Sequence, residues 1–277
     1  MFDCGEGTQR QMMRYGVGFS LSDIFFTHFH SDHVLGVTGL VRTLGLQGRT
    51  DPMCFYGPTG AKDILAQAVN LGVERAAFEI HIEEIKPGQC LDRGEYEIRA
   101  FATQHTRHSM GFAIVEHERL GRFDPEKARE FGIPEGPLWG QIHAGKTVTL
   151  DDGRSIGPEE LVGERRPGRK LVLTGDTKPC KSVVDAAVGA DLLIHEATFG
   201  EEEEDRAEET NHSTAKGAGQ VALAAGVRRL VLSHVSARYS RDSQPILEQA
   251  RAVFAETVVA KDGMTIEVPF SDGAGQG

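Results

Sequence analysis

In FFTHFHSDHVLG, residues 25–36, three histidines and an aspartate (His28, His30, Asp32 and His33) occupy six positions. Imidazole nitrogen and carboxylate oxygen are ligands that zinc takes, and a catalytic zinc keeps one position for water. A buried structural histidine usually stands alone, because each ring must find partners for both nitrogens. The whole chain of 277 residues holds only 11 histidines, and apolar Ile24, Phe25 and Phe26 lead straight into the cluster. A polar surface loop needs no such buried approach, so the run reads as a metal site. It is too dense for one tetrahedral ion. His28 and His30 divide naturally onto one metal and Asp32 and His33 onto a second, and each pair then needs ligands from elsewhere.

Other strand ends offer them. Apolar or alternating runs predict strands over Tyr96–Phe101, Lys170–Leu173, Asp191–Ile194 and Leu230–Leu232. At their ends stand His105, Asp176, the pair His195-Glu196, and His234. Ligand sites of α/β sheets gather at the carboxyl ends of strands. A carboxylate such as Asp176 can bridge two ions, which lie about 3.5–4 Å apart in two-metal hydrolytic sites. Helical patterns over 60–71, 181–189, 215–225 and 246–255 intervene, giving an α/β chain with short connections. Of the other histidines, His108 could in principle ligate but is not needed, and His81, His117 and His143 read as surface or core residues. His195, after a buried run, reads as a structural residue or one that backs a ligand.

Composition limits the partners. Apolar residues make up 39% and charged residues 26%, as in ordinary globular proteins. The start, MFDCGEGTQRQ, lacks a signal peptide's basic and apolar regions, and no apolar run reaches the roughly 18 residues of a membrane span. Four scattered cysteines without a CxxC pair fit reduced thiols and a cytoplasmic protein. A net charge of −11 speaks against nucleic-acid binding by the whole surface but leaves room for a local basic site. Residues 118–169 supply that contrast. This stretch of 52 holds 14 Gly or Pro against 30 in the other 225, and nine of the 30 Lys and Arg. It reads as a surface insertion, and loops of this length are usually functional or disordered. The acidic run Glu201–Glu209 reads as a solvated loop with no catalytic role, and the tail SDGAGQG as frayed. Phe2-Asp3-Cys4-Gly5-Glu6-Gly7-Thr8 reads like the end of a strand and its turn, although only Met1 precedes it.

THFHSDH, followed by His, Asp and His in order, resembles the signature of the metallo-β-lactamase superfamily. Within it the chain is similar to the ribonuclease Z family, which trims the 3′ trailer from precursor tRNA. That closer likeness rests on FDCGEGTQRQMMR, HTRHSMGF, GPLWGQIHAGKTV, GDT, HEATF, HSTA and LSHVSARYS, over roughly residues 1 to 270. It implies an αββα sandwich of two mixed sheets, forming one domain over 1–277 with an inserted exosite arm at 118–169. It also implies about two further strands before DCGEGT. Two zinc ions per chain would be held by His28, His30 and His105 and by Asp32, His33 and His234, with Asp176 shared. His212 in HSTA corresponds to a histidine near the leaving group, and Glu196 in HEATF to the partner that holds it. Asp32 would also accept the proton of the attacking water. In the arm, Gly136-Pro137 matches a GP motif, and Arg119, Arg122, Lys127, Arg129 and Lys146 are candidates to meet phosphate. A cytoplasmic homodimer is the family's common form.

Two other readings compete. The same scaffold hydrolyses small phosphodiesters, sulfate esters or thioesters, and a fold alone does not separate these; HEATF, HSTA and the arm favour RNA. A non-catalytic RNA-binding subunit is the third, and seven filled ligand positions argue against it.

Overall fold

The computed structural model describes residues 1–72 and 75–270; the tail 271–277 lies outside them. In chain order, α1 (Thr8–Arg14) precedes β1 (Asp23–Phe25), α2 (Ser31–Val34), α3 (Gly36–Leu46), β2 (Met53–Gly57), α4 (Ala61–Asn70) and β3 (Ile80–Glu84). Then come β4 (Cys90–Asp92), β5 (Tyr96–Ala102) and β6 (Met110–Glu116). The inserted segment carries α5 (Pro125–Glu130), α6 (Pro137–His143), β7 (Val148–Thr149), β8 (Ser155–Ile156) and α7 (Pro158–Leu161). The chain continues through β9 (Lys170–Leu173), α8 (Lys181–Ala187), β10 (Leu192–Glu196), α9 (Glu204–Thr210) and α10 (Ala215–Ala225). It ends with β11 (Leu230–Ser233), α11 (Gln244–Arg251) and β12 (Thr257–Val259).

Two compact units result, one from residues 1–115 and 170–268, the other from 116–169 with the described residues 269–270. In the first, β1-β2-β3 form one sheet and β12-β11-β10-β9-β6-β5-β4 a second. The larger sheet is mixed: β9 to β12 run parallel, and β6 opposes β9. The smaller one is parallel throughout its named strands rather than mixed, because helical crossovers return the chain in one direction between them. The side-chain period of two explains the continuous apolar run at β1. Ile24 and Phe26 join the core under α3 and α4, while Phe25 points the other way. There it stacks on Tyr56 at 4.8 Å and meets the edge of Phe112 from the other sheet at 5.4 Å. Burying such a ring contributes about 1.5–3 kcal/mol. The opposite face of the larger sheet is covered by α8, α10 and α11 through Val183, Ala218, Ala222, Ile246 and Ala250. The layers are helix, sheet, sheet and helix.

The second unit has a core of its own, made by Ala128, Ile133, Ile142, Val148, Ile156 and Leu161. Its Gly and Pro residues punctuate short elements. Pro125 opens α5 behind an Asp124 side chain that caps the Glu126 and Lys127 amides, and Pro137 opens α6. The acidic run is also ordered: a 3-10 turn at Glu201–Glu203 leads into α9, with Ala207 buried. A one-sided run of charge hides this, since the partners of those carboxylates are distant in sequence.

Candidate metal centre

Parallel β9, β10 and β11 end at one edge, which brings Asp176, Glu196 and His234 together. The extended backbone after β1 turns His28 and His30 to one side, their rings 4.6 Å apart, while Phe29 between them packs into the α3–α4 core. The chain then folds into α2, with His33 N–H bonded to the His30 carbonyl at 3.0 Å, which swings Asp32 and His33 round the site. His105 arrives from the β5–β6 connection.

The donor atoms of His28, His30, His105 and Asp176 lie within 4.8 Å of one another, as do those of Asp32, His33 and His234. Asp176 stands at the centre. Its Oδ2 is 3.6 Å from His28 Nε2, 3.3 Å from His33 Nε2, 3.8 Å from His105 Nε2 and 3.6 Å from His234 Nε2. His212 joins Asp176 and His234 in a third overlapping group and stacks on the His234 ring at 5.5 Å. His108, His81, His117 and His195 join none of these groups among the described residues. His195 is fully buried, and its Nδ1 donates to the Glu196 carbonyl at 2.7 Å.

Four imidazoles are gripped from behind at Nδ1. His33 donates to Asp3 Oδ2 at 2.8 Å, and His105 to the Asn211 carbonyl at 3.1 Å. Thr27 Oγ1 donates to Asp3 at 2.9 Å, so it accepts from His28 Nδ1 at 3.0 Å. Thr198 Oγ1 donates to Glu196 Oε2 at 2.9 Å and accepts from His234 Nδ1 at 2.9 Å. With hydrogen on Nδ1, each Nε2 turns a lone pair inward, the tautomer that backing partners impose on metal ligands. His28 Nε2 and His33 Nε2 are buried without a hydrogen-bond partner. Buried polar atoms are normally paired, so this donor set fits a cation. Asp3, Thr27, Thr198 and Asn211 are the residues that sequence reasoning missed; Asp3, Thr27 and Thr198 stood inside motifs already singled out.

Electrostatics agrees. Burial, helped by the His33 imidazole, pushes His28 down to about 3. Burial opposes ionisation of Asp176, yet His33, 3.3 Å away, and the other surrounding imidazoles hold its carboxyl well below the usual range. His33 is raised against its own burial to about 10 by Asp176 and Asp3. Asp176 and Asp3 thus favour positive charge at His33, where a proton competes with metal. His212 is also raised despite burial, by the Glu196 carboxylate 2.7 Å from its Nδ1. Glu196 itself is pinned by the Thr177 amide at 3.0 Å and the Thr198 amide at 3.0 Å.

In the second unit Arg122, Lys127, Arg129, Gly136, Pro137 and Lys146 are exposed. Arg129 lies over the Trp139 ring, 5.4 Å from its centroid, and Lys127 is 5.8 Å from that of Phe131. Arg119 is more engaged: its guanidinium lies 3.4 Å from the Phe270 ring centroid and its backbone pairs with Arg166. His143 accepts a structural place, with Nε2 donating to the Gly121 carbonyl at 3.0 Å.

Fold and site together define a metal-dependent hydrolase of the metallo-β-lactamase type. The family model described as a beta-lactamase superfamily domain matches residues 1–122. A metallo-beta-lactamase fold protein from Bacillus subtilis is 18% identical with a TM-score of 0.65, covering 95% of this chain and 85% of its own, a likeness of fold. Ribonuclease Z of Gemmatimonas aurantiaca is 58% identical over 274 residues, 98% of this chain and 87% of its own. Ribonuclease Z of Haloferax volcanii is 51% identical over 279 residues, 100% of this chain and 88% of its own. The short form of human tRNase Z is 27% identical with a TM-score of 0.65, covering 97% of this chain and 88% of that one. The chain belongs to the ribonuclease Z family.

Proposed function

We propose that the chain is a zinc-dependent endoribonuclease that removes the 3′ trailer of precursor tRNA, leaving a tRNA 3′-OH and a trailer 5′-phosphate. The observation that carries the mechanism is one carboxylate oxygen of Asp176 within 3.3–3.8 Å of four inward-facing imidazole nitrogens. His28, His30 and His105 would hold one ion, Asp32, His33 and His234 a second, with Asp176 shared. When bound, two zinc ions lower the pKa of water and neutralise charge building on the phosphate. Asp32, exposed and 3.2 Å from His234, is placed to accept the proton of the attacking water. His212 donates from Nδ1 to Glu196, which leaves Nε2 to protonate the departing oxygen as a general acid. The Glu196 charge keeps that imidazole protonated to higher pH.

Residues 118–169 are the arm that grips the tRNA body, through Arg122, Lys127, Arg129, Lys146 and the turn at Gly136-Pro137, with Arg119 at its base. The working form is a cytoplasmic homodimer; no helix among the described residues is long and apolar enough to cross a membrane. Incubation with an end-labelled precursor tRNA tests the reading. Cleavage at the trailer junction, abolished by a chelator and restored by zinc, is expected; uncleaved precursor with a two-zinc protein would refute it.

A further inference from the structure

The hydroxyl of Tyr239 meets the acidic turn: it lies 2.7 Å from Glu202 Oε1 and 2.9 Å from Glu203 Oε2, and accepts from the Gly200 amide at 3.1 Å. Arg238 pairs with Glu203, and Arg206 lies 3.6 Å from the same carboxylate. From α11, Gln249 donates to Glu202 Oε2 at 3.0 Å and accepts from the Glu201 amide at 2.8 Å; Lys216 pairs with Glu201. The turn is thus anchored to two helices and holds the residues that follow His234.

His234 needs holding. Its φ of 51° is left-handed, a conformation that L side chains rarely adopt and that persists only where the surroundings enforce it. At the near end, Thr198 Oγ1 accepts from His234 Nδ1 at 2.9 Å, and the Thr198 carbonyl accepts from the Ser236 amide at 3.2 Å. At the far end, the turn Ala237–Tyr239 is fixed by the Glu202–Glu203 contacts. One stretch of chain, from Glu196 to Glu203, supplies both grips.

We infer that Tyr239, with Glu202 and Glu203, is a positioning clasp that sets the geometry of His234 toward metal. The inference rests on the reading of His234 as a ligand of the ion shared with Asp32 and His33. It is tested on the full chain by stepwise zinc titration against a chromophoric chelator, with the melting temperature followed in parallel. Tyr239→Phe should bind one zinc about 10–100-fold more weakly, as loss of partners behind a ligand does, while the other zinc and the melting temperature stay near parental. Glu202→Ala/Glu203→Ala should reproduce the loss. Glu202→Gln/Glu203→Gln retains acceptor oxygens and should recover to within a few-fold of the parent. A parental zinc affinity in Tyr239→Phe, with or without a lower melting temperature, overturns the clasp, as does failure of the glutamine pair to rescue. His234→Ala is the control: retention of two tightly held ions there would refute the ligand reading itself, whereas loss of one ion there with parental Tyr239→Phe refutes the clasp alone.

Discussion

His212 differs from the other site imidazoles in what lies behind it: a carboxylate, Glu196, rather than a neutral hydroxyl or carbonyl, the one other such case being His33 with Asp3. A general acid contributes about 10²–10⁴ in rate, so His212→Ala should lose activity by that factor with its zinc content intact, as elemental analysis would check. Because Glu196 raises the folded pKa of His212, the protonated form that the proposed general acid requires persists below that pKa and is lost as pH rises through it. Glu196→Gln removes the charge, and the alkaline limb of the kcat profile should move to lower pH. His33 makes a second, separable statement. Its folded pKa of about 10 means that the metal-free protein holds this proton at pH 7. Zinc uptake at pH 7 should release a proton, and affinity should rise with pH toward that value; a pH-stat titration reads it directly. The seven donor residues that the fold brings together were legible in the sequence because their donor types are dense and fall at strand ends. Asp3, Thr27, Thr198 and Asn211 were not, since a threonine beside a histidine becomes a brace only when the fold sets a carboxylate behind it.

Elements position these groups by close approach. The DCGEG segment lies directly beneath the His30–His33 turn: Cys4 N–H bonds to the His33 carbonyl at 2.8 Å, and Gly36 N–H to the Cys4 carbonyl at 2.9 Å. A Cβ on Gly5 would fall 2.1 Å from the Asp32 carbonyl oxygen, where only backbone could give way. Gly5→Ala should therefore displace Asp32 and His33, lowering zinc affinity together with the melting temperature. Parental values of both would show that the loop shifts freely. At this scale β5, β9 and α10 were readable from apolar runs and period, because their burial follows sequence spacing. α9 was not. Its seven residues show one buried side chain, Ala207, and its purpose lies at its end, where Asn211 takes a left-handed φ of 55° and presents its carbonyl to His105.

Across the molecule, an acidic chain of net charge −11 must meet a polyanion. All seven proposed ligands, with Glu196 and His212, belong to the unit of residues 1–115 and 170–268, while the arm candidates Arg122, Lys127, Arg129 and Lys146 belong to the other. Val115 and Lys170 are partners in the antiparallel β6–β9 ladder, so the chain ends left by removing the insertion already face each other. A short Gly-Ser turn in place of 118–169 can close that hairpin. The composition of the segment was legible as foreign to the rest; its private core was not, because Ile133, Ile142 and Leu161 are spaced by glycine and proline turns rather than by a helical or strand period. The shortened chain should retain two zinc ions and hydrolyse a nitrophenyl phosphodiester at nearly the parental rate. Its KM for precursor tRNA should rise by orders of magnitude. Each lost phosphate contact should also reduce the slope of log K against log salt by roughly one unit, the order found for duplexes, which binding at several salt concentrations would measure. Unchanged tRNA processing would make 118–169 a surface insertion only, and joint loss of both activities would mean that it supports the catalytic unit.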